Sequence, residues 1–274
     1  MSSFSRRALI ALVPAGLLSA ITPLAQAAGR EEARLITAAQ VLEELRASPD
    51  TAVPDRLLQR AHAIAVVPDV IKIGFGLGGR RGRGVLTVRD AQGRFGNPAF
   101  ITLTGGSIGW QIGAQSTDVV LVFTTARSLD AISEGKVTLG ADASVAAGPV
   151  GRQASAGTDE TFAAEVYSYS RNRGLFAGVA LDGSAILMDK QANAAFYDTP
   201  AVAAADILNG KVVTSSPTAA RFVAVVQQQA TAPAAEPAPT PAAAATPATP
   251  VATGGEVKVY PLESGPPATA KPPN

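Results

Sequence analysis

The chain has 274 residues, no cysteine, and 23 Lys and Arg against 22 Asp and Glu, a formal charge of +1. The lack of cysteine excludes disulfides, cysteine-ligated metals and an acylated N-terminal cysteine. Balanced charge gives no overall electrostatic reason to expect nucleic acid as a partner.

In chain order, Arg6 and Arg7 precede an apolar run, Ala8–Ala20, and then an Ala-x-Ala site, Ala25-Gln26-Ala27. This is the pattern of a secretory signal. Residues 1–27 are expected to be removed, leaving a slightly acidic mature chain that starts at Ala28 and is exported to the periplasm or cell envelope. The apolar run holds Pro14 and Gly16 and is short for a bilayer span. No second run of spanning length follows, so no transmembrane segment is expected after signal removal.

Leu35, Ile36, Ala39, Leu42 and Leu45 recur at helical spacing and predict an amphipathic helix over Glu31–Arg46. Pro54 suits the first turn of a second short helix reaching Ala61. From Pro68 the chain turns to strand-like texture. Strands are predicted at Val70–Leu77, Gly84–Arg89, Ala99–Leu103, Ser107–Ala114, Val119–Thr124, Lys136–Ala147, Glu165–Ser170, Leu175–Leu181 and Ser184–Asp189, with turns at Asp90-Ala-Gln-Gly93, Arg171-Asn-Arg-Gly174 and Asp182-Gly183. Glycine alternates with large apolar residues, as in Ala99–Ala114. A helix tolerates that poorly, whereas a strand accepts it where backbones approach closely or the sheet bends. Trp110, the single tryptophan, is expected to be buried there. Helices are predicted at Ala126–Glu134, at Pro200–Asn209 with Thr199 as cap, and at Arg221–Gln229.

These elements imply an α+β fold. Its centre is a mainly antiparallel, strongly curved sheet or barrel-like sandwich, with N-terminal amphipathic helices and one or two covering helices. One domain over 28–229 is expected. Residues 230–274 are dominated by Ala, Pro and Thr, which offer little apolar surface to offset ordering entropy, so a disordered tail is expected.

No catalytic constellation emerges. Gly74-Phe-Gly-Leu-Gly-Gly79 fits a dinucleotide fingerprint, but a turn and a strand are predicted after it where that site needs a helix. His62 is the single histidine. Asp118, Asp142, Asp159 and Asp182 are dispersed at strand ends and turns, where capping is their ordinary role. No enzyme activity, cofactor or metal is expected. The better candidate is a basic cluster. Lys72, Arg80, Arg81, Arg83, Arg89 and Arg94 face one acid, Asp90, over that stretch. Arg80-Arg81-Gly82-Arg83 is predicted at a hairpin tip, with Lys72 on the incoming strand. Guanidinium groups suit bidentate phosphate recognition, so Lys72, Arg80, Arg81 and Arg83 are the candidate lipid head-group ligands; the other reading is a solvated turn that opposes edge aggregation. Arg171 and Arg173 lie at another predicted tip.

Four segments carry a family resemblance: Val70–Gly79, Ala99–Ala114, Lys136–Arg152 and Tyr167–Gly178. Together, over roughly Arg30 to Lys211, they resemble the SYLF domain family. That resemblance implies a lipid-binding domain, known in fungi and animals for phosphoinositide preference and for proteins of the actin cortex, with secreted single-domain relatives in bacteria. The basic N-terminal segment implicated in phosphoinositide contact in eukaryotic relatives is replaced here by a helix with Glu31, Glu32, Glu43 and Glu44 against Arg30, Arg34 and Arg46. The resemblance therefore points to an anionic phospholipid or related amphiphile at a membrane surface as the partner, in the bacterial cell envelope. The alternative is a structural or protein-interaction domain with an envelope protein partner.

Overall fold

The computed structural model describes residues 23–47, 53–150, 163–172 and 175–231, with the backbone alone at 23–27, 46–47, 74–77 and 107–114. The chain divides into Met1–Pro237 and Ala238–Asn274, and the first unit holds every described residue. Residues 232–274 of the expected tail, Asp159, Arg173 and the Trp110 side chain lie outside what is described, whereas Ala230, expected to open the tail, is buried at the end of the last helix.

The fold is α+β, with a mainly antiparallel, strongly curled half-barrel sheet. Its framework is one long two-stranded ribbon, β1 (Ala63–Val88) and β2 (Ala99–Phe123). The register runs from Leu86 opposite Ala99 to Ala63 opposite Phe123, with shifts between Val67 and Val70 and between Gly74 and Gly76. Each strand merges segments that the sequence divides. The Gly74–Gly79 run is continuous strand followed by more strand, so it lacks the helix a dinucleotide site requires. The hairpin turn lies beyond Arg89, where Asp90 Oδ1 accepts the Gln92 and Arg94 backbone N–H groups. Arg80–Arg83 is therefore not a hairpin tip: it sits in mid-strand, paired with Gly105–Thr102.

Gly82, placed by the sequence in a turn, and Gly84, placed at the start of a strand, serve another purpose. The ribbon folds back so that the two ends of β1 meet, and the His62 carbonyl accepts the Arg89 N–H at 2.8 Å. A Cβ at Gly82 would lie 2.7 Å from Val67 Cγ1. One at Gly84 would lie 2.9 Å from Val67 Cα and also strike the Val66 carbonyl oxygen. A side chain does not fit at this self-crossing.

The free edge of β2 takes two further strands: β5 (Val166–Asn172) against 118–123 and β7 (Ser184–Met188) against 101–105. The predicted Lys136–Ala147 strand is two strands, β3 (Lys136–Thr138) on β7 and β4 (Val145–Ala147) parallel to β5. They are separated by a turn with Gly140 at φ +87 and Asp142 accepting the Thr138 N–H at 2.7 Å. β6 (Leu175–Gly178) adds to β5.

Both faces of the ribbon are buried where 63–67 pairs with 119–123 and 85–86 with 99–100, which explains the apolar runs there. Ile64, Val66, Phe100, Val120, Val122 and Tyr169 point toward α1 (Pro23–Ala47), α2 (Asp55–Gln59) and the C-terminal helix. Ala65, Val67, Leu86, Ile101, Leu121 and Ile186 face the other core, with α3 (Arg127–Ser133).

Three helices late in the chain depart from expectation. α4 (Lys190–Phe196) was not read from the sequence, although Asp189 caps it by accepting the Ala192 N–H at 3.1 Å. The predicted Pro200–Asn209 helix is shorter, α5 (Ala204–Leu208), because Ala201 takes φ +57 and Thr199 bonds back to the Tyr197 carbonyl instead of capping. The last helix, α6 (Pro217–Thr231), is longer than predicted, since Ser216 Oγ accepts the Ala219 N–H. Gln229 Nε2 donates to the Leu42 carbonyl at 3.1 Å, joining α6 to α1. Among the described residues no helix is long and apolar enough to cross a membrane.

Candidate functional site

Where the N-terminal half of α1 crosses β1, a groove of about 430 Å³ opens. Arg30, Arg34 and Thr37 line it from α1, and Asp69, Ile71, Arg81 and Arg83 from β1. Strand alternation decides which basic residues participate. Arg81 and Arg83 share the face toward α1, while Lys72 and Arg80 project from the opposite face. The same face carries Ile71 and Ile73, which are 49% and 62% exposed. Cations and large apolar side chains thus lie together on one surface.

The groove arginines are not equivalent. Arg34 lies over the Phe100 ring at 5.5 Å and pairs with Glu31 at 2.6 Å. Arg83 lies 3.9 Å from Asp189, the α4 cap. Among the described residues Arg81 has no ion-pair partner. Asp69 holds φ +49 at the Val67/Val70 bulge, its carboxylate accepting from Ser116 Oγ at 3.2 Å. Burial pushes the Glu31 carboxyl above its ordinary value, opposed by Arg34.

Of the four predicted ligands, the structure brings Arg81 and Arg83 together. Lys72 is exposed on the other face. Arg80 donates to the Ala180 carbonyl at 3.3 Å, and burial lowers its pKa. It ties β1 to the segment before β7. Arg80→Gln is expected to lower stability by about 1 kcal/mol in urea unfolding, while Arg81→Gln leaves stability unchanged.

The other basic candidates are committed elsewhere. Arg89 lies over Phe95 and donates to the Gln59 carbonyl, and Arg94 pairs with Asp90. Arg171 Nε donates to Asp118 Oδ2 at 2.7 Å, and its Nη1 pairs with Glu44 on α1, so it joins no surface patch. His62 is exposed at the bend before β1. Arg30, Arg34, Ile71 and Ile73 were missed as site residues. The i, i+4 spacing of Arg30 and Arg34, and the two-residue spacing of Ile71, Ile73, Arg81 and Arg83, are the signals that place them.

A curled α+β sheet with a cationic, partly apolar groove is the architecture of a binding domain. The chain carries a domain of the Ysc84 (SYLF) family: residues 104–229 match the family described as Ysc84, Las17-binding protein actin regulator. It is 37% identical over 166 residues to LAS seventeen-binding protein 3 of Saccharomyces cerevisiae, covering 60% of this chain and 36% of that protein. It is 35% identical over 179 residues to SH3 domain-containing YSC84-like protein 1 of Homo sapiens, covering 63% and 52%. The chain thus spans about a third to a half of the length of these curated relatives.

Proposed function

We propose that this domain binds anionic phospholipid at a membrane surface of the bacterial cell envelope, without catalysis. The observation that carries this reading is the shared face of Arg81 and Arg83 with exposed Ile71 and Ile73. Arg30 extends its charge from α1. Export rests on Arg6-Arg7, the Ala8–Ala20 run and Ala25-Gln26-Ala27.

Each basic residue near an anionic surface contributes about 1 kcal/mol. Burying a whole isoleucine side chain contributes about 1.5–3 kcal/mol, and these two are only partly exposed. Binding is therefore reversible and falls with salt, since charges beyond about 8–10 Å are screened near physiological ionic strength.

Vesicle flotation tests this. Phosphatidylglycerol-containing vesicles should bind the protein and pure phosphatidylcholine vesicles should bind it poorly. Arg81→Gln with Arg83→Gln should weaken binding about tenfold or more, and Ile71→Ser with Ile73→Ser should weaken it further. A double arginine variant that binds like the parent removes this site. A folded parent that floats with no vesicle favours a protein partner, the kind of interaction for which the yeast relative is named.

A further inference from the structure

Arg34, which lines the groove, has a buried counter-anion behind that lining. Glu31 is 5% exposed, and its carboxylate meets the Arg34 guanidinium at 2.6 Å. The other acids facing this cluster are held for other purposes. Asp189 caps α4 and stands 3.9 Å from Arg83, and Asp69 is bonded by Ser116 Oγ. Arg30 and Arg83 are the remaining cations that act on Glu31, and Arg81 lines the same groove.

We propose that Glu31 is the resident counter-anion of the groove, and that its protonation opens Arg34 to an external oxyanion, so the site binds anions more tightly in mildly acid than in neutral solution. The inference rests on the groove being the anion site proposed above.

Two physical facts support it. The carboxylate is taken out of water and retains the Arg34 guanidinium as its close charged partner, so neutralising it relieves a desolvation cost. Arg34 remains charged throughout, because arginine does not deprotonate in this range. Protonation of Glu31 therefore leaves a shielded guanidinium, stacked on Phe100, facing a groove that has gained one positive charge. An oxyanion entering beside Arg30, Arg81 and Arg83 restores the balance that Glu31 provided. Deprotonated Glu31 repels the same anion and competes for the same guanidinium.

The probe is sulfate, which stays a dianion over the pH range used. NMR titration of the folded domain should show sulfate shifting Arg30 and Arg81 signals, with affinity rising about tenfold from about pH 7 to pH 5. By linkage, saturating sulfate should raise the titration midpoint of the Glu31 carboxyl by about one pH unit. Glu31→Gln should bind sulfate tightly at both pH values. If that variant does not fold, the Glu31 midpoint in the unaltered protein decides alone. Absence of sulfate binding at the groove, affinity indifferent to pH, or a Glu31 midpoint unmoved by sulfate overturns the proposal. Phosphatidylglycerol vesicles run in parallel separate the two readings. A sulfate-coupled Glu31 without vesicle binding keeps the gate and removes the lipid, whereas vesicle binding with an indifferent Glu31 does the reverse.

Discussion

Gly84→Ala should destabilise the domain by about 3 kcal/mol, the upper end of the ordinary cost of overpacking. The added methyl meets Val67 Cα at 2.9 Å and the Val66 carbonyl as well, and neither is the yielding end of a flexible side chain. Relief requires the two halves of β1 to separate, which disturbs both cores at once, since Val66 lies in one and Val67 in the other. Urea unfolding measures the loss. Gly79→Ala is the control on the same strand: its Cβ would lie 3.9 Å from the Gly105 carbonyl oxygen, an ordinary contact. Equal effects at both positions would show that the close approach at residue 84 is not what matters.

A comparable loss, about 3 kcal/mol, is expected for Arg171→Gln. The Arg171 guanidinium is 19% exposed and the Asp118 carboxylate 12%. Asp118 also accepts the Asp69 N–H at 3.0 Å, so it cannot turn away to water without releasing the bulge. Removing the arginine leaves that carboxylate buried without its cation, and Glu44 on α1 loses its partner as well. Combining Arg171→Gln with Asp118→Asn should recover most of the stability, because the neutral amide avoids the uncompensated charge. A double variant as unstable as the single one would trace the loss to Arg171 packing over Phe176 instead.

What could be read from residues alone follows from how local each cause is. The Asp90–Gly93 turn, the Gly135 stop after α3 and the apolar stripe of α1 depend on neighbours in sequence, and the sequence reading finds them. The folding of β1 onto itself depends on residues far apart in the chain, so Gly82 looks like a turn residue and Gly84 like a strand start when both are contact residues. That one error moved Arg80–Arg83 to a tip. It also hid the alternation that parts Arg80 from Arg81. The bulge between Val67 and Val70 has a similar effect, because it changes which residues face α1 and brings Ile71 and Ile73 to the groove side. Arg30 and Arg34 were visible on the helix, but sequence alone does not reveal what α1 crosses.

The length of the ribbon also dictates an order of assembly. The pair Leu86–Ala99 lies next to the Asp90 turn, whereas Ala63–Phe123 joins the most distant residues of the hairpin. Closing a longer loop costs more chain entropy, so pairing starts at the turn and advances like a zip toward the ends. β7 attaches to the part of β2 formed early, and β5 to the part formed last. Until that final stretch pairs, Val119–Phe123 has neither β1 nor β5 beside it. The interval before closure is when this apolar strand is most exposed to pairing with another chain.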